Sequence, residues 1–210
     1  MAIESSILDA ETGNTAEVDN DKELIVTSRG YPPTGEQKVL PFRQYLTSDG
    51  TEGGSSDMRV DGSSTPQDFY IGSHSAQDLY ITYLSFVIAD AGAVLNEFGS
   101  LSALSNGGTI FYERSDQTVT IADELQTNFD YVRACLGNPS FGDGAAAFRA
   151  NNVSGNSEAY IPVLDLTKIL PPYGIKLDAA TTQRLVHRVN DNVSNLDQFD
   201  CIAYGFCRLS

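Results

Sequence analysis

Three aspartates stand close together in "DMRVDGSSTPQDFYIG", residues 57 to 72. Asp57, Asp61 and Asp68 are of the type that binds a cation or, in a pair with unequal surroundings, serves as acid and base. From Asp61 the chain reads Asp-Gly-Ser-Ser-Thr-Pro. Gly tolerates positive φ, Pro fixes φ, and Asp and Ser hydrogen-bond nearby backbone, so the stretch holds what a turn needs. The run from Asp61 to Pro66 holds no basic or aromatic residue that would perturb Asp61 or Asp68, and the expectation is architecture.

The other groups capable of chemistry are scattered. His74 lies in a Ser-rich loop and His187 inside an apolar run, more than a hundred residues away. A histidine in a strand is ordinarily outward or hydrogen-bonded in a core. "DNDKE" (Asp19 to Glu23) and "NDNVSNLD" (Asn190 to Asp197) cluster oxygen ligands but lack the register of an EF-hand, and Asn and Asp form such turns without a metal. Two carboxylates ~5 to 9.5 Å apart could flank a glycosidic bond, yet nothing nominates two of the 28 acidic residues. No nucleophile elbow, Walker loop, dinucleotide fingerprint or HExxH occurs. Cys201 and Cys207 share one predicted strand and at ~3.3 Å per residue sit ~20 Å apart, too far to bridge. Cys135 falls in a predicted helix, so three reduced thiols are expected. No catalytic, cofactor-binding or metal-binding residue is nominated, and the chain reads as a non-enzyme.

The elements that must position these groups read as β. The chain has 210 residues, 41% hydrophobic, with 18 Gly, 8 Pro, 10 Tyr and 10 Phe. That supports one core between turn-punctuated strands. Residues 1 to 56 form an acidic region with brief apolar islands, expected as an extended arm that is flexible alone or ordered against a neighbour. Its one clear strand is Glu23 to Ser28. From residue 57 the alternation strengthens: Met58 and Val60, then Phe69 and Ile71, flank a hairpin-like connection. Asp78 to Ala89 reads as a central strand, "GGTIFYER" and "QTVTIA" as an antiparallel pair, and 159 to 166, 174 to 178, 184 to 190 and 199 to 209 as further strands. Leu125, Phe129, Val132 and Leu136 share a helical face, with Asp123 and Glu124 at its N-terminus. The expected fold is all-β, a jelly-roll-like sandwich of about eight to ten strands over residues 57 to 210, with one packed helix.

Charge limits the partners. A net charge of −15 repels phosphate backbones and anionic lipid, so neither direct nucleic-acid nor membrane binding is expected. "MAIESSILDAETG" has no basic n-region or apolar run of a signal peptide, which makes "NVS" at Asn152 and Asn192 a coincidence rather than a glycan acceptor.

"GNTAEVDNDKELIVTS" (Gly13 to Ser28) is similar to the N-terminal segment of many tailed-bacteriophage structural proteins. "DMRVDGSSTPQDFYIG", "DLYITYLSFVIADAG", "LSNGGTIFYE", "TNFDYVRACLG" and "AYGF" together resemble a phage virion structural family of the minor structural or decoration type. The resemblance implies a virion protein made in the host cytoplasm, with capsid decoration or cementing first and a neck or tail place second. Its partners would be other virion proteins and further copies of itself, a homotrimer by analogy with jelly-roll virion subunits. An arm of this kind docks by strand addition, and Leu24, Ile25 and Val26 are the interaction residues expected to supply the strand. Two rivals remain: a carbohydrate- or receptor-binding module using rings such as Tyr31, Tyr112 and Tyr160, and a polysaccharide hydrolase with an unrecognised carboxylate pair.

Overall fold

The computed structural model describes residues 6–8, 15–18, 24–27, 39–91, 93, 96–136, 149–151 and 157–208. By contacts the chain divides into two units, Met1–Gln37 and Lys38–Ser210. In the first, β1 (Ser6–Leu8), β2 (Thr15–Val18) and β3 (Leu24–Thr27) pair antiparallel in the order β1-β2-β3. The expected single extended arm is therefore a small sheet, whose strands satisfy one another's backbone groups.

The second unit starts earlier than residue 57. β4 (Val39–Tyr45) pairs along β14 (Gln198–Arg208), Leu46 N donates to Cys201 O, and Leu46 is fully buried. Residues 39 to 56 thus belong with the sandwich. Pro41 obscured this strand in the sequence. Lacking an N–H, it disqualifies a central strand, but β4 is the edge of its sheet and tolerates it.

Two antiparallel sheets build this unit, which is all-β with few helices. One has the order β4-β14-β6-β10-β9, where β6 is Asp78–Ala91, β9 Arg149–Asn151 and β10 Ser157–Tyr160. Along the β6 side opposite β14, β12 (Ile175–Leu177), β11 (Val163–Asp165) and β10 follow end to end. The strand expected over 159 to 166 is broken because Pro162 has no N–H to donate and Asp165 caps α2 (Leu166–Ile169), its carboxylate accepting from Thr167 N at 3.0 Å. The other sheet has the order β5-β13-β7-β8: β5 Gln67–Gly72, β13 Arg184–Val189, β7 Gly108–Glu113 and β8 Thr118–Ala122. β7 and β8 form the expected antiparallel pair.

Two local expectations change. Residues 58 to 62 do not hairpin onto β5: Met58 N donates to Phe199 O and Gly62 N to Asp191 O, while β5 pairs with β13. The helix, α1, runs Asn128–Leu136. Leu125 instead exchanges both backbone hydrogen bonds with Gly108, Glu124 has φ 51°, and Thr127 Oγ1 accepts from Asp130 N. That threonine, rather than Asp123, opens the helix.

The core lies between the two sheets. Leu79, Ile81, Leu84, Phe86 and Ile88 of β6 face Phe69, Ile71, Ile110, Leu185 and Val189 of the smaller sheet, all within one buried cluster. Burying this apolar surface dominates the stability. Among the described residues no helix is long and apolar enough to cross a membrane.

Candidate interaction surface

The acidic stretch of residues 57 to 72 serves structure. Asp57 pairs with Arg59 at 2.7 Å, and that hydrogen-bonded guanidinium lowers its pKa. Asp61 accepts from the Ser63 hydroxyl and backbone N, an Asx turn that holds its pKa low. Asp68 does have a cationic partner, contrary to the reading from its sequence neighbours: β13 brings Arg188 against it at 2.6 and 2.9 Å. Asp191 in the Asn190 to Asp197 cluster accepts from the backbone N of Asn106 and of Gly107, fixing the loop before β7. The Asp19 to Glu23 cluster lies outside the described residues. Among the described residues no three His, Cys, Asp or Glu side chains gather as a metal site would.

His187 points into the core with no exposure, its Nε2 2.7 Å from the Tyr131 hydroxyl. Gly108 lets them meet, since a Cβ there would stand 2.4 Å from that hydroxyl. Rings of Phe86 and Phe199 close around them, and burial pushes the His187 pKa down to about 3. His74 is exposed, its Nδ1 accepting from Ala76 N. Cys135, Cys201 and Cys207 are buried free thiols, with burial raising Cys135 to about 12.

A polar cleft of about 600 Å³ opens beside Tyr70, Arg184, Glu113, Ser73 and Thr181. Its polar groups largely satisfy one another: Arg184 pairs with Glu113 and lies 4.7 Å over the Tyr70 ring, Ser73 Oγ donates to Thr181 O, and Thr181 Oγ1 donates to Asp178 O. It reads as loop architecture.

The outward faces of the two sheets differ. On the four-stranded sheet, Arg184 and Arg188 lie between Glu113 and Asp68 and cover Tyr70 and Phe111. Charge and ring are matched there, as on an ordinary solvated face. The seven-stranded sheet presents rings instead. Register aligns Arg43, Tyr204, Tyr83 and Asp165 in one row, and Pro41, Phe206, Tyr80 and Lys176 in the next. Tyr80 stacks on Phe206 at 4.8 Å, with Arg208 4.9 Å over the Tyr80 ring. Tyr83 stays 41% exposed and Tyr45 37%. Among the described residues the Tyr45, Tyr83 and Tyr204 hydroxyls have no hydrogen bond and Arg43 no ion pair; its guanidinium lies 5.8 Å from the Tyr45 ring centre.

A bulge creates this face. Tyr204 pairs with Tyr83 and Gly205 with Ile81, leaving Thr82 as the extra residue. Tyr80 and Tyr83, three apart, would occupy opposite faces of an unbroken strand; the bulge turns both outward. Of the rings nominated from sequence, Tyr112 and Tyr160 are buried, donating to Lys176 O and Ala93 O, and Tyr31 lies outside the described residues. Leu24, Ile25 and Val26 form β3, paired with Val18, Glu17 and Ala16 of β2, and β3 is an end strand of its sheet.

No protein-family model matches the chain, no curated protein matches its sequence, and no solved structure matches it.

Proposed function

We propose that this chain is a non-enzymatic structural subunit of a bacteriophage virion, a jelly-roll sandwich held by its neighbours, with capsid decoration or cementing as its first role and a neck or tail place as the second. The observation that carries this reading is strand order. Let β4, β5, β6, β7 and β8 be strands one to five, the β10–β12 edge six, β13 seven and β14 eight. With the short β9 beyond β10 left aside, the sheets then read 1-8-3-6 and 2-7-4-5, an order that supports a reading as two interlocked Greek keys. The fold is an analogy for function, and the likeness of residues 13 to 28 and 57 to 72 to phage structural proteins supports the same reading. So does the use of the acidic groups and His187 in holding loops and core.

β3, with one edge unpaired among the described residues, is suited to strand addition on a neighbour. The test is incorporation into particles of a chain lacking residues 1–37, a cut that leaves β4 whole. The account expects the truncated chain to fold and to be lost from particles; undiminished incorporation would remove the docking role of Leu24, Ile25 and Val26. The exposed rings of Tyr45 and Tyr83 favour one second reading, a carbohydrate- or receptor-binding module of the virion. Binding on a glycan array that vanished with Tyr83→Ala would favour it over the first.

A further inference from the structure

We propose that α1 is an acid-promoted flap: a proton on His187 favours release of this helix from the sandwich while both sheets stay paired. The imidazole is fully buried on β13, and its Nε2 lies 2.7 Å from the Tyr131 hydroxyl of α1. Its Nδ1 has no hydrogen-bond partner among the described residues. A neutral ring leaves one bond unmade there, whichever tautomer it adopts. An imidazolium donates from both nitrogens, so in the closed fold it would add a buried charge to that unpartnered site. The carboxylates that act on the pair are committed elsewhere. Asp68 on β5 is held by Arg188, and Asp191 after β13 accepts from the backbone N of Asn106 and of Gly107. Cys135 of α1 and Cys201 of β14 are thiols that burial keeps protonated and neutral. β6 sets the Phe86 ring against the imidazole, and β7 contributes Gly108.

The two sides of the His187–Tyr131 contact are held unequally. β13 is paired along all six of its residues with β5 on one side and β7 on the other, so His187 leaves only if the four-stranded sheet breaks. α1 has nine residues, too few to stand as a helix alone, and it depends on burying side chains such as Tyr131, Val132 and Cys135. The chain entering it is pinned: Leu125 exchanges both backbone hydrogen bonds with Gly108, and Gln126 O accepts from Leu104 N at 2.6 Å. Thr127, which opens the helix, is therefore the hinge. Rotation there withdraws Tyr131 from the rings of Phe86, Phe98 and Phe199 and lets water reach both nitrogens of His187. Releasing one short helix exposes far less apolar surface than unfolding the sandwich, which makes it the easier route to a hydrated charge. With an ordinary pKa of 6.5 in the open form and about 3 in the closed one, the open fraction rises about thirtyfold from pH 7.5 to pH 5.

Amide hydrogen exchange of the full chain at pH 7.5 and pH 5, each rate taken relative to its intrinsic rate at that pH, provides the test. In the wild type, the amides of α1 should be less protected than those of β13 at both pH values. They should lose about thirtyfold of their protection at pH 5. In His187→Gln the α1 amides should keep the same protection at both. Equal protection of α1 and β13 would mean that the helix leaves only with the whole fold, and it overturns the proposal. So does wild-type α1 protection that is unchanged by pH, and so does a loss that persists in His187→Gln. If that variant does not fold, the two wild-type comparisons decide.

Discussion

A histidine with no exposure, ringed by Phe86, Tyr131 and Phe199, must be neutral to stay where it is, because charging it there strips an imidazolium of water. The ordinary value of 6.5 falls to about 3 through burial, against a small opposing pull from the Asp68 charge. Between those values the unfolded chain binds a proton that the folded chain refuses. The stability is therefore complete above about pH 6.5 and declines as pH falls. From pH 7.5 to 5 the loss is about 2 kcal/mol. Asp57, Asp61, Asp78, Asp165 and Asp178 have pKa values lowered below 3.8, chiefly by side-chain hydrogen bonds. Their stabilisation is present above pH 3.8 and is lost only as pH falls through the lowered values, so it does not blur the histidine window. Urea unfolding at the two pH values should show that loss in the wild type and not in His187→Gln; equal losses in both would remove His187 as its source. From sequence this histidine was legible as structural, either outward or hydrogen-bonded in the core, without a choice between the two. Its tyrosine partner was not, because only the fold brings residue 131 to 187.

The bulge at Thr82 governs the sheet that carries the outward rings of Tyr80 and Tyr83. Gly205 sits opposite it, and a Cβ there would lie 1.9 Å from the carbonyl oxygen of Tyr80 and 3.0 Å from the Phe42 ring. Backbone cannot retreat from such a contact without giving up the ladder, so Gly205→Ala should cost about 2–4 kcal/mol. Thermal or urea unfolding measures it, and a variant within about 0.5 kcal/mol of wild type would show that the bulge relaxes freely. Long apolar or alternating runs made β6, β7, β8, β13 and β14 readable. A strand apolar on both faces, as β6 is, does not say in sequence which rings look outward, and an extra residue in its middle inverts the alternation. Exposed Tyr83 was missed for that reason, and Tyr112 and Tyr160 were nominated instead. β4 was hidden by its proline, and the true start of α1 by Asp123 and Glu124, two acids that imitate a first turn.

Across the whole chain, acidity and the contrast between the sandwich's outer faces point the same way. A charge of −15 makes separate copies repel one another, and on the proposed reading the one sheet face with unmatched tyrosines and an unpaired arginine among the described residues is where a neighbour would hold the subunit. The all-β class was legible from composition and periodicity. The division after Gln37 was not, because β4 joins the sandwich through pairing with the far C-terminal β14. The central claim is that this fold exists to be gripped by neighbouring subunits. A particle reconstruction tests it most directly: the account predicts density for the chain with Tyr83, Tyr204 and Arg43 covered by protein. A particle that lacks the chain, or holds it with that face open to solvent and no subunit against the N-terminal sheet, would contradict it.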